Sequence, residues 1–164
     1  MSPKLKSLIG ALALVMITGS SFAAPAAKHA AVKTHKSAIA SDDLSNQIRS
    51  SFKNEFNTAQ LISWQVTSDF TKLTFLMNGN VMFAFYAPDG ELLAVSRNIL
   101  SSQLPISLTR NLKSSYADYW IADLFEISSE TGNYYYVTLE DSDRKIVLRS
   151  VGTSAWEKYY AERK

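Results

Sequence analysis

Asn78-Gly79 constrains this chain more than any other pair, because it stands between two runs of alternating side chains. Both residues tolerate positive φ, and such a pair between alternating apolar runs predicts a two-residue hairpin turn. Leu73, Phe75 and Met77 alternate with Thr74 and Leu76 before it. Val81, Phe83, Phe85 and Ala87 alternate with Met82, Ala84 and Tyr86 after it. A strand apolar on both faces belongs in the middle of a sheet or beneath another layer. Pro88-Asp89-Gly90 predicts the next turn, and Glu91 to Asn98 the next strand.

Elsewhere the period switches between four and two. Leu44, Ile48, Phe52 and Phe56 repeat every four residues, an amphipathic helix that Ser41 or Asp42 can cap and that fades near Asn57. Ile62, Trp64 and Val66 then alternate as a strand. Leu104-Pro105 opens a second helix carrying Leu108, Leu112 and Tyr116, since proline suits the first helical turn. Strands follow around Ile121 to Ile127, Tyr134 to Leu139 and Lys145 to Val151, with turns at Thr131-Gly132-Asn133 and Asp141 to Arg144. Ile48, Phe52 and Phe56 fall on Leu108, Leu112 and Tyr116 at an offset of 60, and Gly90 falls on Gly152 at 62. These matches predict a duplication, with halves 42–103 and 104–164 and the tail from Trp156 to Tyr160 a strand. The expected class is α+β: a tandem repeat of a helix plus a four-stranded antiparallel sheet, with the helices packed on one sheet face.

The first 23 residues carry Lys4 and Lys6, an apolar run from Leu8 to Ile17, and small residues at Ser21 and Ala23. That is the pattern of a secretory signal peptide, 1–23, and the run is too short to cross about 30 Å of hydrocarbon. Residues 24–41 are rich in alanine and lysine with few large side chains, and read as a flexible tether. From Asp42 onward 12 basic residues stand against 15 acidic ones, a net charge of −3, which disfavours nucleic acid as a partner. Export in a chain without cysteine suits a bacterial periplasm or cell surface, with no stable membrane span after cleavage.

The chemistry of catalysis is thinly represented. Both histidines, His29 and His35, fall in the tether, so neither thiol nor histidine-based triads are available from Asp42 onward. Ser-Lys and paired-carboxylate mechanisms stay formally open. Asp118, Asp123 and Glu126 lie near Tyr119 and Trp120 and could line a cleft, though a solvated strand face explains them as well. Asp141-Ser142-Asp143 resembles the start of a calcium loop, but Ile146 and Gly152 occupy the positions where such a loop needs glycine and glutamate. The reading is therefore no enzyme, no cofactor and no metal site.

Eight tyrosines, mostly in or beside strands, are the remaining signal, because a buried hydroxyl wants a partner. The expectation is that Phe75, Phe83 and Phe85 meet Phe52 and Phe56 of the first helix. Met82, Tyr86, Tyr134, Tyr136 and Trp120 would then form the opposite face, a contact surface for an envelope protein or peptide. The alternative is that the two halves, or the tether, cover that face.

Several of these features together resemble a known family, the periplasmic β-lactamase-inhibitor-like, PepSY-like domains of bacteria. They are the Trp64 strand, the turn Phe85-Tyr86-Ala87-Pro88-Asp89-Gly90, Leu104-Pro105 opening a helix, and the strand Tyr135-Tyr136-Val137-Thr138-Leu139. The resemblance spans most of Asp42 to Gly152 and implies an exported helix-plus-sheet fold in tandem copies. Its names imply an inhibitor or propeptide-like regulator of an envelope peptidase or β-lactamase as the alternative function. No residue set in this chain matches an inhibitory motif.

Overall fold

The Asn78-Gly79 turn forms as its residue types dictate, with φ of 51° and 75°. It joins β3 (Thr71–Met77) to β4 (Asn80–Tyr86) with Met77 opposite Asn80. The computed structural model describes residues 33–35 and 44–164. The expected signal peptide, both ends of the expected tether, and the caps Ser41 and Asp42 lie outside the described residues. Within the tether, Lys33–His35 forms a short strand, β1. It pairs antiparallel with β2 (Gln60–Val66).

The remaining strands are β5 (Leu92–Asn98), β6 (Trp120–Ser129), β7 (Gly132–Glu140), β8 (Arg144–Val151) and β9 (Ala155–Arg163). All nine lie in one antiparallel sheet in chain order. This corrects the expected fold class. Ala94 to Asn98 of β5 pair with Ser129 to Phe125 of β6, so the chain is not a tandem of separate helix-plus-four-strand units. The described residues form one mostly β structure bearing two helices. Two separate sheets would have left β5 and β6 with unpaired backbone groups along strands that are apolar in places, and the β5–β6 ladder satisfies them.

The helices are α1 (Asn46–Glu55) and α2 (Ile106–Ser115). The cap of α1 is Ser45, whose Oγ accepts the Ile48 N–H at 3.2 Å. Pro105 caps α2. Ile48 and Phe52 of α1 bury against Trp64, Leu73, Phe75, Ala84 and Tyr86. Leu108 and Leu112 of α2 bury against Leu124, Val137, Leu139, Ile146 and Leu148. Each leucine, isoleucine, valine or phenylalanine among them contributes roughly 1.5–3 kcal/mol when withdrawn from water.

Register decides which side chains share those cores. Cross-strand partners point the same way, so Phe75 opposite Met82, and Leu73 opposite Ala84, put odd β3 residues with even β4 residues. From there the pairs Ala84–Val95, Val95–Ser128 and Arg97–Glu126 carry the same face into β6. Leu124–Val137 and Val137–Leu148 carry it on to β8. Both helices therefore lie on one face. Gly90 lets α1 approach the sheet closely: its φ is +88°, and a Cβ there would stand 3.3 Å from the Gln47 backbone.

Candidate functional site

The five residues expected to form a binding surface do not share one face. Met82 and Tyr86 pair with Phe75 and Thr71 on the helix side, where Tyr86 is fully buried beneath α1. The physical reason is the two-residue turn, which reverses the expected partition: Met82 and Tyr86 join Phe75, while Phe83 and Phe85 point away. The Tyr86 hydroxyl donates to Glu55 Oε2 at 2.7 Å. Burial, together with that carboxylate, raises its pKa well above the usual phenol range. Tyr134, Tyr136 and, by its pairing with Glu140, Trp120 belong to the opposite face.

That opposite face carries no helix among the described residues. Its centre is Phe85, Ala94, Phe125, Ile127, Tyr136 and Val147, which pack together with Phe70 of the β2–β3 loop. Around this centre stand the partly buried rings of Phe83, Tyr134 and Tyr159. Tyr136 stacks on Phe125 at 5.3 Å and meets Tyr159 edge-on at 5.7 Å, arrangements suited to the charge distribution of aromatic rings. Trp120 is 53% exposed at the beginning of β6, with Lys164 Nζ 5.0 Å from its ring centroid.

Polar groups on this face are of two kinds. Some are paired: Arg149 with Glu157, Lys145 with Glu162, and Lys164 with Glu140. Others are not. Ser96 Oγ and Thr138 Oγ1 are buried without a hydrogen-bond partner among the described residues, and Tyr136 Oη has no well-formed one, with the Arg149 guanidinium as its charged neighbour. Burial raises the Tyr136 pKa to about 12, against the opposing pull of the Arg149 charge. Burial also raises the pKa of Asp123, which its hydrogen bond from the Leu124 N–H and the Lys145 charge offset in part. Lys72 sits with Nζ 4.4 Å from the Phe83 ring centroid, and burial lowers its pKa.

The helix side also has a groove, of about 510 Å³, lined in part by Glu55, Gly90, Glu91, Val95 and Glu130. No group of three or more histidine, aspartate or glutamate side chains among the described residues is placed to hold a metal ion. Asp141 of the calcium-like sequence closes its turn instead, accepting from the Asp143 and Arg144 N–H groups at 2.8 and 2.7 Å. Asp123 and Glu126 point to opposite faces, since Asp123 pairs with Thr138 and Glu126 with Tyr135.

Sequence reasoning missed Phe83, Tyr159 and Lys72 as surface candidates. The signal for Phe83 was present: a two-residue turn obliges odd residues before it to share a face with even residues after it. Tyr159 had none, because a one-residue bulge between Val147 and Leu148 on β8 and their β9 partners resets the alternation there.

This geometry has counterparts among solved structures. A Bacteroides ovatus protein of the DUF2874 family superposes with a TM-score of 0.66 at 14% identity, over 75% of this chain and 89% of its own. A candidate periplasmic protein of Bacteroides eggerthii gives 0.64 at 14%, over 73% and 88%. A BLIP-like protein of Bacteroides fragilis gives 0.62 at 16%, over 73% and 85%. The chain thus has a BLIP-like fold. PepSY-like membership has no counterpart in these structures. No family model matches the sequence, and no curated protein does. No helix among the described residues is long and apolar enough to cross a membrane.

Proposed function

We propose that this chain is an exported, non-catalytic module that holds a protein partner on the helix-free face of its sheet. The observation that carries this reading is the ring of partly buried aromatics, Phe83, Tyr134 and Tyr159, on a face that neither helix covers. Aromatic side chains with a fixed apolar body and a polar tip are favoured at protein contacts. Tyr136 supports the ring from beneath, and Trp120 extends it along β6. Export rests on the signal-like pattern of 1–23 and on the candidate periplasmic description of a structural neighbour. After cleavage the mature protein would work in the periplasm or outside the cell.

The test is capture by immobilised protein from native envelope extract. The double variant Phe83→Ser/Tyr134→Ser loses the partner while its melting temperature stays within a few degrees of the parent's. Equal capture by parent and variant would remove the reading.

A second reading, inhibition of an envelope hydrolase, is favoured by the name of the BLIP-like neighbour. Titration against purified β-lactamases and peptidases decides it: stoichiometric loss of turnover supports an inhibitor. No loss at micromolar protein leaves the plain binding module.

A further inference from the structure

Lys72 differs from the other cations of the helix-free face. Lys145, Arg149 and Lys164 each have a carboxylate within ion-pair distance. Lys72 has none among the described residues. It pairs in register with Phe85 on β4 and Gln65 on β2, and its described contact is the Phe83 ring at 4.4 Å. An ammonium removed from water without an opposite charge is costly, and a ring face offsets only part of that cost. Shorter or neutral side chains would fill the same strand position at less expense. The exposed Val81, opposite Leu76 on the same side of the sheet, continues the apolar ground beside Phe83.

We infer that Lys72 is the charge anchor of this face, pairing with an aspartate or glutamate that a protein partner presents next to an apolar side chain seated against Phe83. The inference rests on the proposed function and narrows it to partners with an acidic-apolar contact segment. A carboxylate arriving at Lys72 would meet an ammonium already partly desolvated. The pair would then strengthen as the partner excludes the remaining water. Charge complementarity also selects against basic segments, which the Lys72 ammonium repels.

The experiment selects a displayed library of random dodecapeptides on the immobilised protein, then measures individual peptides by fluorescence anisotropy. Selected peptides are expected to carry Asp or Glu beside an aromatic or branched aliphatic residue. Lys72→Met, which keeps the apolar stem, should weaken such a peptide ~10-fold or more. Replacing the peptide's acid by its amide should weaken the parent complex equally and the Lys72→Met complex little. Lys72→Glu should turn the selection towards basic peptides. Peptides that depend on Phe83 and Tyr134 but show no acid preference would overturn the anchor and leave the binding face standing. Peptides indifferent to Phe83→Ser and Tyr134→Ser, or a library that yields no binder, would overturn both. Lys72-dependent self-association in sedimentation would make a second copy the occupant and overturn the inference as stated.

Discussion

The two faces of this sheet come from the same alternating strands, yet they handle polar atoms differently. On the helix side, polar tips of large aromatics reach partners. Tyr86 donates to Glu55 on α1, and Trp156 Nε1 donates to the Leu108 carbonyl of α2 at 3.0 Å. Trp64 Nε1 is the exception there. On the helix-free side Tyr134 and Tyr160 find partners locally, at Thr131 and Glu162, while three buried hydroxyls and Lys72 have no well-formed partner among the described residues. A covering helix brings backbone carbonyls and side-chain carboxylates within reach of the sheet. A face without one can satisfy its polar groups only along its own strands or through another molecule.

Mutations can break this contrast. Phe75→Ala on the helix side should cost about 3–5 kcal/mol in chemical denaturation, because the ring is fully buried and packed on Phe52 and Phe56. Phe83→Ala, on the rim of the other face, should cost roughly 1 kcal/mol. A cost equal to that of Phe75 would make Phe83 a core residue and remove the surface. Gly90→Ala should cost about 1–3 kcal/mol, since it forces a side chain into positive φ and against α1.

The smallest effects separate the two buried tyrosines. Tyr86→Phe should lose roughly 1 kcal/mol with its hydrogen bond to Glu55. Tyr136→Phe should change stability by less than about 0.5 kcal/mol at neutral pH, because its hydroxyl makes no well-formed hydrogen bond and loses only the proximity of the Arg149 guanidinium. Alkali distinguishes them again. Folding raises the Tyr136 pKa to about 12, so its contribution is complete below the unfolded value near 10 and is lost as pH rises towards 12. Tyr136→Phe should therefore retain more stability than the parent across that interval in pH-dependent unfolding.

Much of the fold could be read from local pattern. The Asn78-Gly79 and Gly90 turns, the two amphipathic stripes and the strand runs form close to where their residue types place them, although α1 starts at Asn46 under Ser45, later than a Ser41 or Asp42 cap implies. The union of the strands in one sheet could not be read, because nothing local distinguishes a strand edge that closes a unit from one that pairs with its neighbour. The proposed surface was legible in its aromatic composition and not in its orientation. The tyrosines drew the expectation of a contact face, but the parity set by the Asn78-Gly79 turn puts Phe83, and not Met82 or Tyr86, on the helix-free side. A bulge hid Tyr159, since a single extra residue in β9 leaves no mark on the sequence. Lys72 reads as an ordinary alternating strand residue until the pairing of every neighbouring cation is known.

Side-chain footprinting by hydroxyl radicals, with and without the captured partner, tests the assignment of the faces most directly. Phe83, Tyr134 and Tyr159 should be shielded in the complex, while Tyr116 and Tyr119 beside α2 keep their reactivity. Shielding of Tyr116 and Tyr119 with Phe83 and Tyr134 unchanged would place the partner on the helix side and contradict the account.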